Sequence, residues 1–190
     1  MSPLLSIGHS NHEIATFLGL LSKHHVEVLV DIRSYPYSQY SSQFDKPALE
    51  KSLAGIMVRY LHIPELGGRP DGTEFYDPGG HVLYGAYAKT DKFKRGLDRL
   101  RKGIAKFKVA LMCSEEDPTA CHRRLLVGRV LVEEGIEVVH IRGDGHTQTE
   151  EEVGLADKKE AERKQMGLFE DLQEQAWKSI PSVWEAPKSS

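Results

Sequence analysis

Cys113 and Cys121 are the two cysteines of a 190-residue chain, and each lies within two residues of an acid or a base. The stretch Cys113-Ser114-Glu115-Glu116-Asp117-Pro118-Thr119-Ala120-Cys121-His122-Arg123-Arg124 is the densest run of reactive side chains in the sequence. Three chemistries compete for it. Cys113 or Cys121 is a nucleophile with His9 or His122 as its base. Alternatively, both cysteines and a histidine ligate a metal. In the third, the thiols only pack, Arg33 and Arg123 bind an anion, and Asp31, Glu65 or Glu115 move protons.

Spacing narrows the choice. The cysteines match neither a standard zinc signature nor the CxxC redox motif. A phosphatase-like Cys with Arg six residues on is excluded because Thr119 stands there. No resident cofactor is therefore expected, and a metal held by Cys113, Cys121 and a histidine is the weaker alternative. Cys113 ends an apolar strand, a place that also suits an inert structural thiol. A disulfide is not established by a separation of eight residues.

Asp117-Pro118 reads as a cap followed by proline at the first helical position. Cys121 then falls in the first turn, where free N–H groups favour a thiolate or an anion. Only one of Arg123 and Arg124 can face a pocket there, since helix neighbours diverge by about 100°.

The elements that must position these residues alternate. Residues 4–8, 26–32, 58–63, 108–113 and 136–141 read as strands, and residues 26–32 are nearly continuous in apolar character. Ile14, Phe17, Leu18 and Leu21 form a helical stripe after a cap at Ser10 or Asn11. Asp45 and Pro47 open a second helix, residues 81–107 are mostly helical, and Leu125, Leu126, Val130 and Leu131 mark the helix that Gly135 ends. The pattern predicts an α/β fold: a mainly parallel five-stranded sheet with helices on both faces, three-layered and Rossmann-like.

In such sheets ligands bind outside the carboxyl ends of the strands. The five strands exit into His9 and Ser10; Asp31 and Arg33; Glu65 and Gly67-Gly68-Arg69; Cys113, Ser114 and Glu115; and Arg142 and Asp144. Loops are polar in any protein, but five ionisable strand exits converging on one edge predict a pocket. His62 and His140 lie within apolar strands and read as core. Tyr35, Tyr37, Tyr40 and Phe44, near Arg33 and Lys46, either stack on bases or pack their long loop onto the body.

Hydrophobic residues make up 39% and charged residues 28%, in keeping with a folded protein. No apolar run approaches the ~20 residues of a bilayer span, and the first residues lack the pattern of a signal peptide. Two cysteines suit a reducing compartment, so a soluble cytoplasmic protein is expected. The net charge of −3 does not announce a nucleic-acid binder. Residues 1–146 hold 18 acidic and 19 basic residues, whereas residues 147–190 hold 10 and 6. The chain thus divides into a 1–146 body and a 147–190 acidic linker with a helical or extended tail.

IGHSN at 7–11, VDIRSYP at 30–36, Phe44, YLHIPELGG at 60–68 and CSEEDPTACHRRLL at 113–126 together resemble the family called domain of unknown function 488. The resemblance spans about residues 4–145. It implies a compact α/β domain and no established reaction. The family's shared polar positions correspond to His9, Ser10, Asp31, Arg33, Glu65, Cys113, Glu115, Cys121, His122 and Arg123, and they coincide with the strand exits.

In the tail, Gln165, Leu168 and Phe169 resemble the short bacterial motif that docks on the DNA polymerase sliding clamp. The glutamine hydrogen-bonds while the apolar pair fills clefts. An ordinary amphipathic helix packed on the body explains the same residues. The expectation is an enzyme of DNA or nucleotide metabolism, repair included, with hydrolase or transferase chemistry. Cys113, Cys121, His9, Asp31 and Glu115 are its catalytic candidates, while Ser10, Arg33, Glu65, His122 and Arg123 bind substrate or anion. The competing readings are a clamp-tethered module that binds nucleotide or nucleic acid without chemistry, and a small-molecule thiol enzyme.

Overall fold

Short runs of aliphatic residues without polar alternation suit strands buried on both faces. In a computed structural model, which describes residues 2–38, 40–156 and 177–182, five segments form parallel strands; four are such runs, and the other, Arg59-Tyr60-Leu61-His62 at the sheet edge, is exposed or half-buried throughout. They are β1 (Leu4–Gly8), β2 (Val28–Asp31), β3 (Arg59–His62), β4 (Val109–Cys113) and β5 (Val138–Ile141). A sixth strand, β6 (Thr147–Thr149), pairs antiparallel with β5 and closes the order β3-β2-β4-β1-β5-β6. The sheet is therefore six-stranded where five were expected. Residues 147–149, read from their charge as the start of a linker, belong to it, and residues 150–156 continue as helix.

Helices cover both faces. α1 (Ile14–Lys23) and α2 (Lys46–Ala54) bring Phe17, Leu21, Leu49 and Leu53 onto Leu5, Leu29, Ala110 and Met112. On the other face, α4 (Asp91–Ile104) brings Phe93, Leu97 and Leu100 onto Val28, Val30, Val109 and Leu111. A continuous helix over 122–133 adds Leu126, Val127 and Leu131 to that layer. Alternate strand residues thus feed two separate cores, as the two-residue period of a strand requires.

Three expected starts are corrected. Ser10 takes a φ of 44°, and α1 begins at Ile14 with Glu13 before it, so neither Ser10 nor Asn11 caps it. Residues 81–107 divide into α3 (Tyr84–Tyr87) and α4, because Thr90 accepts the Phe93 N–H on its Oγ1 and starts a new helix. Asp117 accepts the Thr119 N–H at 2.9 Å and closes a turn instead of capping a helix. The helix begins four residues later, where the Leu125 N–H bonds the Cys121 carbonyl at 2.9 Å. Its opening, Arg123–Gly128, is a π-helical segment that continues as α5 (Arg129–Glu133). Such wide turns cluster at functional sites.

Candidate functional site

β1 and β4 lie side by side, with Gly8 in register with Cys113. The chain leaves β1 toward α1 on one face and leaves β4 toward the 122–133 helix on the other. That divergence is a topological switch point, the place where an open parallel sheet leaves a crevice. A pocket of about 250 Å³ sits there, with Cys113, Ser114, Glu115 and His122 on one side and His9, Arg33, Tyr35 and Arg69 on the other. Gly8 is required for it: a Cβ there would lie 1.8 Å from the Glu115 carbonyl oxygen.

Cys113 sits at the end of β4 on the α4 face, which points its sulfur toward the start of the 122–133 helix. Its thiol contacts Glu115 Oε2 at 2.9 Å and faces His122 Nδ1 at 3.5 Å. Cys121 contacts the same Glu115 oxygen at 3.0 Å and receives the Arg123 backbone N–H on its sulfur. His122 Nε2 donates to the Ile32 carbonyl at 3.0 Å, which leaves Nδ1 to face the sulfur. Gly68 lies flat against that ring, where a Cβ would come within 2.6 Å of Cγ. One donor atom each from Cys113, Glu115, Cys121 and His122 lies within 4.8 Å of all the others. This is the donor set a metal would use.

The electrostatics of the four are interlocked. Burial alone would raise the Cys113 thiol, but its contacts with Cys121, His122 and Glu115 bring it well below the ordinary thiol range. Burial and then the Cys113 charge push Cys121 up. Burial would lower His122, yet Cys113 and then Glu115 outweigh it and hold the ring at about 9. Glu115 is raised, first by burial and then by Cys113. The free protein thus favours a Cys113 thiolate beside a His122 imidazolium.

Across the pocket, Asp31 clamps Arg33: NH2 donates to Oδ2 at 2.7 Å and Nε to Oδ1 at 3.0 Å. NH2 also donates to the Phe44 carbonyl. NH1 donates to His9 Nε2 at 3.2 Å, leaving one NH1 hydrogen without a partner among the described residues. His9 stacks on Phe44 and gives its Nδ1 hydrogen to the Ser10 carbonyl at 2.8 Å. Burial first, and Arg33 as well, hold its pKa below 6.5. With both nitrogens engaged, His9 is a neutral wall of the pocket and no base for Cys113. Tyr60 donates to Asp31 Oδ2 at 2.6 Å, so Asp31 serves to fix Arg33.

Other expected site residues lie elsewhere. Arg123 is fully buried with every nitrogen of its guanidinium bonded: Nε to Ser6 Oγ at 3.0 Å, NH1 to the Glu115 carbonyl and NH2 to the Glu116 carbonyl at 2.5 Å. It staples the 114–117 loop to the sheet and has no place for an anion. Cys121 lies behind Cys113, in the cap position and off the pocket wall. Glu65 turns to Arg99 at 3.1 Å, and Ser10 bonds its neighbour Asn11. Gln165, Leu168 and Phe169 lie outside the described residues.

Arg69 and Tyr84 are wall residues missed as site candidates from the sequence, which leaves Tyr35 and Tyr37 between stacking on bases and packing their loop. Arg69 carries an exposed guanidinium, and its backbone is tied to Ser34 Oγ at 3.0 Å. Its place after the third strand, behind two glycines, was the available signal. Tyr35 and Tyr37 line the pocket with 70% and 61% of their surface exposed, so they do not simply pack their loop down. Tyr84 gave no sequence signal, since it reads as part of a helix.

A second buried polar chain lies on the other side of β1. Ser6 Oγ meets His140 Nδ1 at 3.1 Å, and His140 Nε2 meets Glu150 Oε2 at 2.9 Å. Glu150 also pairs with Arg124 at 2.6 Å. Serine, histidine and acid stand in triad order, but Ser6 and His140 are fully buried and neither lines the pocket.

Among the described residues no helix is long and apolar enough to cross a membrane. The family described as Domain of unknown function DUF488 matches residues 13–130, which include all four residues of the sulfur cluster. The chain belongs to that family. No curated protein and no solved structure matches it.

Proposed function

We propose that this member of the DUF488 family is a group-transfer enzyme, hydrolase or transferase, acting on an anionic, ring-bearing substrate of the nucleotide class through the Cys113 sulfur. The observation that carries this reading is the company Cys113 keeps in one pocket: Arg33 and Arg69 for an anion, and Tyr35 and Tyr37 for a planar ring. An arginine with an unspent N–H recognises phosphate or carboxylate, and exposed tyrosines stack on bases. The sulfur at the floor forms the new bond to the electrophilic atom while the bond to the leaving group breaks with its electron pair. The leaving group takes a proton from water at the open side. A water or hydroxyl acceptor then displaces the sulfur and gives up its own proton.

Nucleoside monophosphates, diphosphates and short single-stranded oligonucleotides are the probes. Calorimetric titration should show binding that weakens about tenfold in Arg69→Ala, the loss of one charge-assisted contact. Equal affinity in both proteins for every probe removes the nucleotide reading. The tail motif at Gln165, Leu168 and Phe169 would carry this chemistry to DNA by docking on the sliding clamp. A non-catalytic, clamp-tethered binding module remains the second reading. It is favoured by nucleotide binding that persists unchanged in Cys113→Ser with no turnover in the wild type.

A further inference from the structure

Three acids and one imidazole share a single point in this protein. Cys113 Sγ, Cys121 Sγ and one Glu115 oxygen converge with His122 Nδ1 inside 4.8 Å. Both sulfurs touch the same carboxylate oxygen, at 2.9 and 3.0 Å. Among the described residues no lysine or arginine side chain hydrogen-bonds to any of the three acids. Among the described residues His122 is the one basic side chain within hydrogen-bond distance of them. Two buried thiols and a carboxylate aimed at one point, spent on one another and on a single imidazole, are donors that a divalent cation can draw together in place of their protons.

The surroundings fit the same ion. The other nitrogen of His122 donates to the Ile32 carbonyl at 3.0 Å, so Nδ1 is the nitrogen that presents a lone pair once a cation displaces its proton. Metal-bound histidines are fixed this way, by a hydrogen bond from the far nitrogen. Gly68 holds the ring in place from behind. The Arg123 N–H points at the Cys121 sulfur, as backbone amides do at thiolate ligands. The Cys113 Sγ to His122 Nδ1 distance of 3.5 Å is the edge of a tetrahedron whose metal–sulfur and metal–nitrogen bonds are about 2.3 and 2.0 Å, whereas the Glu115 oxygen, at 2.9 and 3.0 Å from the sulfurs, has to swing outward by about 0.5 Å to take its own corner.

We infer that Cys113, Cys121, His122 and Glu115 form a tetrahedral site for a thiophilic divalent cation of the zinc class. Two sulfurs, one nitrogen and one oxygen select such an ion over magnesium or calcium. Cys113, Cys121 and His122 are buried, whereas Glu115 is exposed and lines the pocket. Glu115 is the ligand that leaves to open a position toward substrate. This inference rests on the pocket of the proposed function. Within it, the metal takes the place of the thiol protons and keeps the Cys113 sulfur deprotonated and facing the substrate.

The full chain, purified without chelator and without a histidine tag, should carry about one zinc per chain by plasma mass spectrometry. After removal of the metal, added Co²⁺ should give the near-ultraviolet charge-transfer absorption of cobalt–thiolate bonds. At saturating Co²⁺ that absorption should fall to about half in Cys121→Ser, which removes one of two thiolates. Zinc content should fall at least about tenfold in His122→Ala. Glu115→Gln, an exposed conservative change, should keep the charge-transfer band and bind Zn²⁺ more weakly. No metal and no cobalt–thiolate band in wild-type protein with native circular dichroism overturns the inference. So does zinc retained in full by both Cys121→Ser and His122→Ala. Alkylation of Cys113 in the stripped protein is a separate readout, so the metal can fail while the thiol reading stands, and the reverse.

Discussion

Two buried polar clusters flank β1, and they share residue types but not fates. On the β5 side, Ser6, His140 and Glu150 stand in the order of a hydrolytic triad. On the β4 side, Cys113, Glu115, Cys121 and His122 follow no familiar order. The first is sealed: Ser6 is fully buried, and its hydroxyl is shared between His140 and Arg123. It also meets the wrong imidazole nitrogen, since a serine–histidine pair uses Nε2 for the hydroxyl and Nδ1 for the acid. The second opens on a pocket and keeps bonding capacity unspent. A site is defined by access and unused valence, and chemistry-bearing residues whose bonds are all spent inside the fold are architecture.

Arg123 joins the two clusters, holding Ser6 on one side and the Glu115 loop on the other, so its loss should break both. Arg123→Met should cost about 3 kcal/mol in urea unfolding, because it leaves Ser6 and two loop carbonyls without their donor. It should also lower ligand affinity in the pocket, as Glu115 loses its staple.

Ser6→Ala should strike the sealed cluster alone. A loss of about 1–2 kcal/mol is expected from the unsatisfied His140 and Arg123 atoms, with nucleotide affinity unchanged. Weakened binding in that variant would mean that the sealed chain communicates with the pocket.

His140 sharpens the contrast through pH. Burial, with Arg123 and Arg124 nearby, holds its folded pKa below 6.5 despite Glu150. The unfolded chain therefore binds a proton that the native state refuses. Its stabilising contribution is present above about pH 6.5 and lost as pH falls below it, by at most about 1.4 kcal/mol per pH unit for one proton. Burial likewise lowers His9 and His24, so the slope has three contributors of one sign. Unfolding titrations between pH 7 and 5 should show His140→Gln shallower than wild type, with the rest of the slope intact.

The smallest effect on either cluster is expected from the tail. Phe169→Ala should leave stability and nucleotide affinity unchanged and abolish capture on immobilised sliding clamp. Undiminished capture, or none with wild type, removes the tether to DNA.

Much of this arrangement is legible in the sequence, for physical reasons. Short aliphatic runs such as VALMC, bounded by turn residues, suit strands buried on both faces, and the carboxyl-end rule then turns a list of strand exits into a pocket wall containing His9, Arg33, Cys113 and Glu115. The misreadings come from side-chain direction and competition. Arg123 was assigned an anion on its charge, but its guanidinium reaches the sheet instead. Asp117-Pro118 looks like a helix start, but the aspartate closes a turn and the helix waits for Cys121. Glu65 leaves the strand edge for Arg99. β6 is three residues of threonine and glutamine, too short and polar to declare itself. The donor set escaped spacing rules because its members come from a strand end, a loop and a helix start, with nothing like the short knuckle those rules describe.

The central claim is that the Cys113 sulfur faces a ligand pocket while Cys121 stands behind it. Rates of alkylation by iodoacetamide, followed for each cysteine by mass spectrometry in native, metal-stripped protein at neutral pH, test it most directly. Cys113 should label at least about tenfold faster than Cys121 and faster than free cysteine, and a bound nucleotide should slow it. Equal labelling of both cysteines, or no labelling of Cys113 until the protein unfolds, would contradict the account.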